Sequence, residues 1–212
     1  MLLAHLDAAL GPDRTDAAVA RGLAPALAGR PLPVLRAMIR AGVNALACSS
    51  AGRLFDAMAA LLDVAPARMS YEGEAAMRLE ALARGADQAA DSAPFGLRTR
   101  DGLAEIDPAA MWRAALRDRG DGVAPARISA SFHAGLTGAF AELACRTAQV
   151  EGLDTVALSG GAMHNAVLAE TLAVRLRAAG LRVLLPVRAP AGDGGLALGQ
   201  AAVAAARMLE GV

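Results

Sequence analysis

Apolar side chains recur at helical spacing through residues 1–92 of this chain. Leu2, Leu3, Leu6 and Leu10 share one helical face, which Gly11-Pro12 closes. Asp16 is placed to cap a helix over 16–27, and the glycine- and proline-bearing stretch 29–33 breaks it. The pattern resumes over 34–46 with Leu35, Met38 and Ile39. Ser49-Ser50-Ala51-Gly52 then reads as a turn and cap for a strongly apolar helix over 53–62. Residues 72–83 predict another helix, glutamate-rich at its start, where the helix dipole favours negative charge.

The period changes over 93–107. Two alternating runs flank Arg100-Asp101-Gly102, and Asp-Gly between such runs predicts a β-hairpin. Asp107-Pro108 opens a helix through Leu116, 120–125 is a loop, and 128–150 is a long helix. A short buried strand over 155–158 then runs into Ser159-Gly160-Gly161. A helix over 165–179 closes at Gly180, and a second strand covers 182–186. A loop over 190–195 leads to a final helix over 196–209. This order predicts a helix-rich α/β lobe with at least two parallel strands. We read residues 1–212 as one lobe: a helical part (1–92), a hairpin (93–107) and an αβ part (108–212). So few strands make a thin sheet, so part of the sheet is expected on residues outside this chain.

Composition narrows the class. Hydrophobic residues make up 55% of the chain against 20% charged, which excludes a disordered segment. All 21 basic residues are arginine and balance 21 acidic ones, so there is no cationic surplus for a nucleic-acid backbone. The absence of lysine also removes a lysine nucleophile, a Schiff base and a P-loop lysine. Cys48 and Cys145 form no CxxC pair and are expected as small buried apolar groups in a reducing cytoplasm. No long apolar run predicts a membrane span, so a soluble cytoplasmic chain is expected.

The candidate chemistry sits in two glycine turns, Ser159-Gly160-Gly161 and Asp193-Gly194-Gly195, each after a late strand. The carboxyl ends of parallel strands form the usual ligand crevice of open α/β sheets. Glycine there lets backbone N–H groups approach an anion, although the same residues also make plain tight turns. Asp193 suits either a helix cap or a ligand for a divalent cation, and Asn165 either a cap or a hydrogen bond to a ribose. Asp56 opens an apolar helix three residues after Arg53, an ion-pair spacing that also suits a carboxylate facing a cleft. Glu72 and Glu74 suit a helix start, with only proximity to recommend them as an acid/base pair. His5, His133 and His164 have no metal-site spacing, and His133 reads as a satisfied interior histidine. Nucleophile-elbow, Walker and Rossmann spacings are all absent.

Several segments, in order and spacing from about residue 45 onward, resemble the carboxy-terminal part of the hydrogenase-maturation carbamoyltransferase family HypF. They are Ser49-Ser50-Ala51-Gly52-Arg53-Leu54-Phe55-Asp56, Tyr71-Glu72-Gly73-Glu74-Ala75-Ala76-Met77, Ser131-Phe132-His133, Leu158-Ser159-Gly160-Gly161 with Asn165, and Asp193-Gly194-Gly195-Leu196-Ala197-Leu198-Gly199-Gln200. The resemblance implies the second lobe of an actin-like ATPase fold. It implies a carbamoyltransferase that uses ATP and carbamoyl phosphate to make carbamoyl-adenylate. The carbamoyl group then passes to the carboxy-terminal cysteine of a HypE-like acceptor. By that likeness Asp56, Gly73 and Asn165 hold the nucleoside, with Ser159, Gly160 and Gly161 beside it, and Asp193 ligates a divalent metal.

Two departures stand out. Met163-His164 replaces the family's Phe-Gln before the asparagine, and Ala191-Gly192 replaces its Pro-Asn before the aspartate. The family's upstream domains, and the histidine pair that completes the metal site, have no counterpart in this sequence. The chain is therefore expected to be inactive or nearly so alone, and to self-associate through surface that the other lobe would cover. A non-catalytic interaction module is the alternative reading. An unrelated kinase lobe is disfavoured by the Arg53–Asp56 and Tyr71–Glu74 segments.

Overall fold

The computed structural model describes residues 1–86 and 91–210, and the side chain of Glu210 lies outside that description. Positions 87–90, within the part expected to be helical, fall outside it too. The chain divides into two compact units, Met1–Leu143 and Ala144–Val212.

The first unit begins with α1 (Leu2–Leu10), α2 (Pro12–Ala20) and α3 (Leu32–Ala41). Leu2, Leu3 and Leu6 bury the apolar face the leucine spacing predicts. The helix expected over 16–27 is instead α2, which starts at Pro12, where a fixed φ and a missing N–H cost nothing. Gly22, at φ 74°, ends its last turn, and a separate 3-10 turn covers Pro25–Leu27. Asp16 is consequently no cap. It lies inside α2, and its carboxylate accepts from Arg36 Nη2 at 2.8 Å. Arg36 also donates from Nε to Asp7 at 2.7 Å, so one guanidinium ties α1, α2 and α3 together. α3 stops short of the expected 46 because Gly42 takes a left-handed φ of 68°.

α4 (Ala51–Leu61) and α5 (Glu74–Arg84) pack against one another, and α4 also packs on α1. β1 (Gly96–Arg100) and β2 (Leu103–Asp107) pair antiparallel, with Arg100 opposite Leu103. Asp101 and Gly102 both take positive φ, 50° and 78°, the turn that Asp-Gly favours. Pro108 is the N-cap of α6 (Ala109–Gly120), and the Asp107 carboxylate just before it accepts the Ala109 N–H at 2.9 Å. α7 (Pro125–Glu151) follows, and its last residues belong to the second unit.

The core of the first unit is built from Leu6, Phe55, Met58, Leu61, Leu79, Met111, Trp112, Phe132 and Leu136, all fully buried. Phe55 meets Phe132 edge to face, with ring centroids 5.2 Å apart. Ser129 and His133 find partners inside the core. Ser129 Oγ donates to the Leu79 carbonyl at 2.7 Å, and His133 Nδ1–H donates to the Ser129 carbonyl at 2.8 Å. His133 is thus the buried structural histidine its position predicts, and burial lowers its pKa. Trp112 Nε1 is buried without a hydrogen-bond partner among the described residues.

Gly135 makes a close approach that the sequence does not announce. A Cβ added there would sit 2.1 Å from the Ala93 carbonyl oxygen. The bare helix face lets the Ala93 segment cross α7, and its N–H donates to the Ser131 carbonyl at 3.0 Å.

The second unit holds β3 (Thr155–Ala157), α8 (Ala166–Ala178), β4 (Arg182–Leu184) and α9 (Leu196–Glu210). β3 and β4 run parallel, with Val156 opposite Val183, and α8 packs on β4. Leu168, Leu172 and Leu176 form the buried stripe of α8. Leu196, Leu198, Val203, Met208 and Leu209 of α9 are exposed. Cys48 corrects the expectation of two buried thiols: it is exposed in the stretch before α4, where no regular element packs over it, and Cys145 is half-buried. Among the described residues no helix is long and apolar enough to cross a membrane.

Candidate functional site

In the first unit the candidate residues lie where α4 and α5 begin. Ser50 caps α4, its hydroxyl oxygen accepting the Arg53 N–H at 3.4 Å. That cap sets the first turn, in which Arg53 pairs with Asp56 at 2.9 Å. Asp56 is half-buried. Burial raises its carboxyl pKa above the ordinary value despite Arg53, and the nearby Glu72 adds to the rise. Asp56 and the Tyr71-Glu72-Gly73 turn thus sit at the starts of two helices, α4 and α5, that pack against one another. Gly73 precedes α5 at φ 81°, a conformation that strains other residues, and an added Cβ would meet nothing within 4 Å.

A carboxylate held partly out of water and incompletely compensated suits hydroxyl donors better than it suits the empty fold. Asp56→Asn should therefore leave the melting temperature unchanged or slightly higher, as thermal melts of the two proteins would read.

Glu74 has a different job. It is buried, accepts the Ser70 N–H at 2.7 Å and pairs with Arg78 at 2.7 Å. The Ser70 bond, supported by Arg78, holds its carboxyl below the usual range. A depressed folded-state pKa stabilises the fold at neutral pH, and that stabilisation disappears as pH falls through the folded value. Glu74→Gln should lower the melting temperature at pH 7 and flatten its decline on acidification, as melts from pH 7 to pH 3 would read.

In the second unit the two glycine turns are neighbours. They follow the carboxyl ends of the paired strands β3 and β4. Leu158 N–H donates to the Leu184 carbonyl at 3.0 Å, extending the strand pairing. Gly160 N–H donates to the Ala191 carbonyl at 2.7 Å, and the Ser159 hydroxyl reaches the same oxygen at 3.3 Å. Gly160 has φ 95°, and neither Gly160 nor Gly161 would bring an added Cβ within 4 Å of another atom. Bare backbone therefore faces open space at this turn. The second turn is tighter: a Cβ on Gly195 would come 2.7 Å from the Pro190 carbonyl oxygen.

Asn165 caps α8, its side-chain oxygen accepting the Leu168 N–H at 2.9 Å. Asp193 opens a 3-10 turn, Asp193–Gly195, without a side-chain cap bond. Its carboxylate is exposed and makes no hydrogen bond or ion pair among the described residues. Hard divalent cations take several oxygen ligands. Among the described residues no three His, Cys, Asp or Glu side chains group as a metal site. The described residues do not complete a metal centre, and Asp193 offers one ligand at most. Gly192 is not among the residues the sequence singles out as a site, yet an added Cβ there would lie 2.9 Å from His164 Nε2 and 3.2 Å from Gly161 Cα.

Comparison with known proteins bears on both units. The family model described as the carbamoyltransferase Kae1-like domain, second subdomain, matches residues 1–200. The carbamoyltransferase HypF of Rhodobacter capsulatus is 44% identical over 196 residues, covering 92% of this chain and 25% of that protein. A HypF homolog from Cupriavidus necator is 42% identical over 174 residues, covering 80% of this chain and 43% of its own length. Among solved structures, full-length HypF in a phosphate- and nucleotide-bound form superposes with a TM-score of 0.78 at 32% identity, over 87% of this chain and 24% of that one. HypF of T. kodakarensis superposes with a TM-score of 0.70 at 33% identity, over 84% of this chain and 22% of that one. The chain spans about a quarter of the length of the Rhodobacter relative.

Proposed function

This chain belongs to the HypF carbamoyltransferase family, in the second subdomain of its Kae1-like domain, and we propose that it supplies nucleotide-binding residues for carbamoyl transfer. The observation that carries this reading is the pairing of the two glycine turns at the ends of adjacent parallel strands. Their backbones are tied through Ala191, and Gly160 and Gly161 lie open. Such a surface admits phosphate oxygens close to the Gly161 main chain, the Gly160 N–H being already given to Ala191. In this reading Ser159, Gly160 and Gly161 face the phosphate of ATP or carbamoyl-adenylate. Asn165 serves the nucleoside and Asp193 lends one oxygen to a divalent cation, while in the first unit, taken by itself, Asp56 and Gly73 are the residues suited to a nucleoside.

Carbamoyl phosphate, ATP and water would give carbamoyl-adenylate with release of phosphate and pyrophosphate. The carboxy-terminal thiolate of a HypE-like acceptor in the cytoplasm would then attack its carbamoyl carbon, forming the C–S bond as the C–O bond to AMP breaks and AMP leaves. Among the described residues Asp193 has no companion ligands, and in this reading the chain is inactive by itself and works with the remaining domains of a HypF enzyme. Purified chain given Mg-ATP, carbamoyl phosphate and an acceptor peptide ending in cysteine should yield no thiocarbamate by mass spectrometry. Sustained turnover would refute the incomplete-site reading.

The exposed side chains of α9 favour a second reading, a non-catalytic interaction module that binds a maturation partner or another copy of itself. Light scattering over a concentration series addresses it, with concentration-dependent mass expected and a constant monomer mass against it.

A further inference from the structure

The carboxylate that starts α5 is bonded backwards along the chain. Glu74 is 5% exposed; its Oε2 accepts the Ser70 N–H at 2.7 Å, and its Oε1 accepts from Arg78 Nη2 at 2.7 Å. An acidic side chain in a first turn ordinarily faces water and serves the helix dipole. The bond to Ser70 serves no N–H of α5, because Ser70 lies four residues before the helix begins. It closes a ring over Tyr71, Glu72 and Gly73 instead. Gly73 stands in the N-cap position at φ 81° and has no side chain to cap with, so the ring is fastened from inside the helix. The main chain adds a long bond, from the Glu74 N–H to the Tyr71 carbonyl at 3.4 Å. Tyr71 and Glu72 are exposed, so little packing holds the turn from outside.

The ring holds Gly73, a candidate nucleoside residue, together with Glu72, whose charge bears on Asp56 of α4. Packing fixes α4 and α5 against one another, but the turn lies outside both helices. We propose that Glu74 is a positioning residue for the candidate nucleoside site of the first unit: its carboxylate closes the Ser70–Gly73 turn and fixes where Gly73 and Glu72 stand relative to Asp56. Buried as it is, Glu74 touches no ligand itself. Buried hydrogen bonds of this kind, one step behind the residues that meet a ligand, give a site its precision. The nucleoside role rests on the reading of Asp56 and Gly73 given above, whereas the closure of the turn does not.

The test compares Glu74→Ala, Glu74→Gln and Arg78→Ala in the isotope-labelled full chain by NMR. Three readouts are taken: hydrogen exchange at the Ser70 amide, the carboxyl titration of Asp56, and the response of the Gly73 amide to adenosine, which has no phosphate for the turns of the second unit. The charges acting on Asp56 are Arg53, the Met1 amino group and Glu72. Glu74→Ala opens the ring, so Ser70 exchange should rise about tenfold. The Asp56 pKa should fall toward its ordinary value as Glu72 moves off, and adenosine should bind about fivefold more weakly. Glu74→Gln keeps an acceptor for Ser70, and Arg78→Ala keeps the carboxylate. Both should melt at lower temperature, yet leave the Asp56 titration in place and adenosine affinity within about twofold. If Glu74→Ala does not fold, Glu74→Asp, one methylene too short for Ser70, takes its place with the same expected losses. Losses that track melting temperature through all the variants would overturn the positioning role, as would an unmoved Asp56 titration in an opened turn. A Gly73 amide that ignores adenosine in the starting chain would overturn the nucleoside reading and this role with it. Ser70 exchange would then report separately whether Glu74 closes the turn.

Discussion

Gly135→Ala is expected to destabilise the first unit by about 1–3 kcal/mol, although alanine is the better helix former. On propensity alone the substitution in α7 should gain about 1 kcal/mol. Against that stands a Cβ placed 2.1 Å from the Ala93 carbonyl oxygen, with the Ala93 carbonyl carbon at 2.9 Å and its nitrogen at 3.0 Å. The atoms in the way are backbone, so no rotamer change relieves the overlap. Either the helix bends or the Ala93 segment lifts, and lifting breaks the Ala93–Ser131 hydrogen bond. Overpacking of this kind costs about 1–3 kcal/mol, and a lost hydrogen bond about 1 kcal/mol more. The sign of the change in a urea melt decides the matter. Stabilisation by alanine would mean that the segment does not cross the helix at this point.

Gly161→Val is expected to have the opposite profile: little change in stability and a loss of Mg-ATP affinity of more than about tenfold. Gly161 carries no left-handed backbone angle, and an added Cβ would meet nothing within 4 Å. A plain tight turn would tolerate the new side chain in both respects. A turn whose backbone must lie close to a phosphate would not, because the branched side chain fills the space through which the anion approaches. Gly160 is the poorer probe, since its φ of 95° makes any replacement strained with or without a ligand. Unchanged affinity in Gly161→Val, with an unchanged melting curve, would count directly against the cradle.

Much of the fold was legible because local signals agreed with the tertiary structure. The leucine spacing of α1, the Ser50 cap, the Asp101-Gly102 turn and the parallel order of the last two strands each follow from residues close in sequence. The errors came where distant partners decide. Asp16 looked like a cap because Ser, Asp and Asn often are, but Pro12 started the helix earlier and Arg36, from α3, claimed the carboxylate. Cys48 was expected inside on residue-type preference, which cannot anticipate a stretch that no element packs over.

The candidate site divides in the same way. Both glycine turns and the Asn165 cap could be read from the order of elements. The burial that lifts the pKa of Asp56, and the contact of His164 with Gly192, arise from packing between segments far apart in the chain. No periodicity encodes either of them.

The central claim concerns the face made by the two turns of the second unit, and an NMR titration of the labelled chain with Mg-ATP tests it most directly. The account predicts saturable shifts concentrated at the amides of Ser159, Gly160, Gly161 and Asp193–Gly195. A titration that leaves those amides still, or that moves a different set of residues, would contradict it.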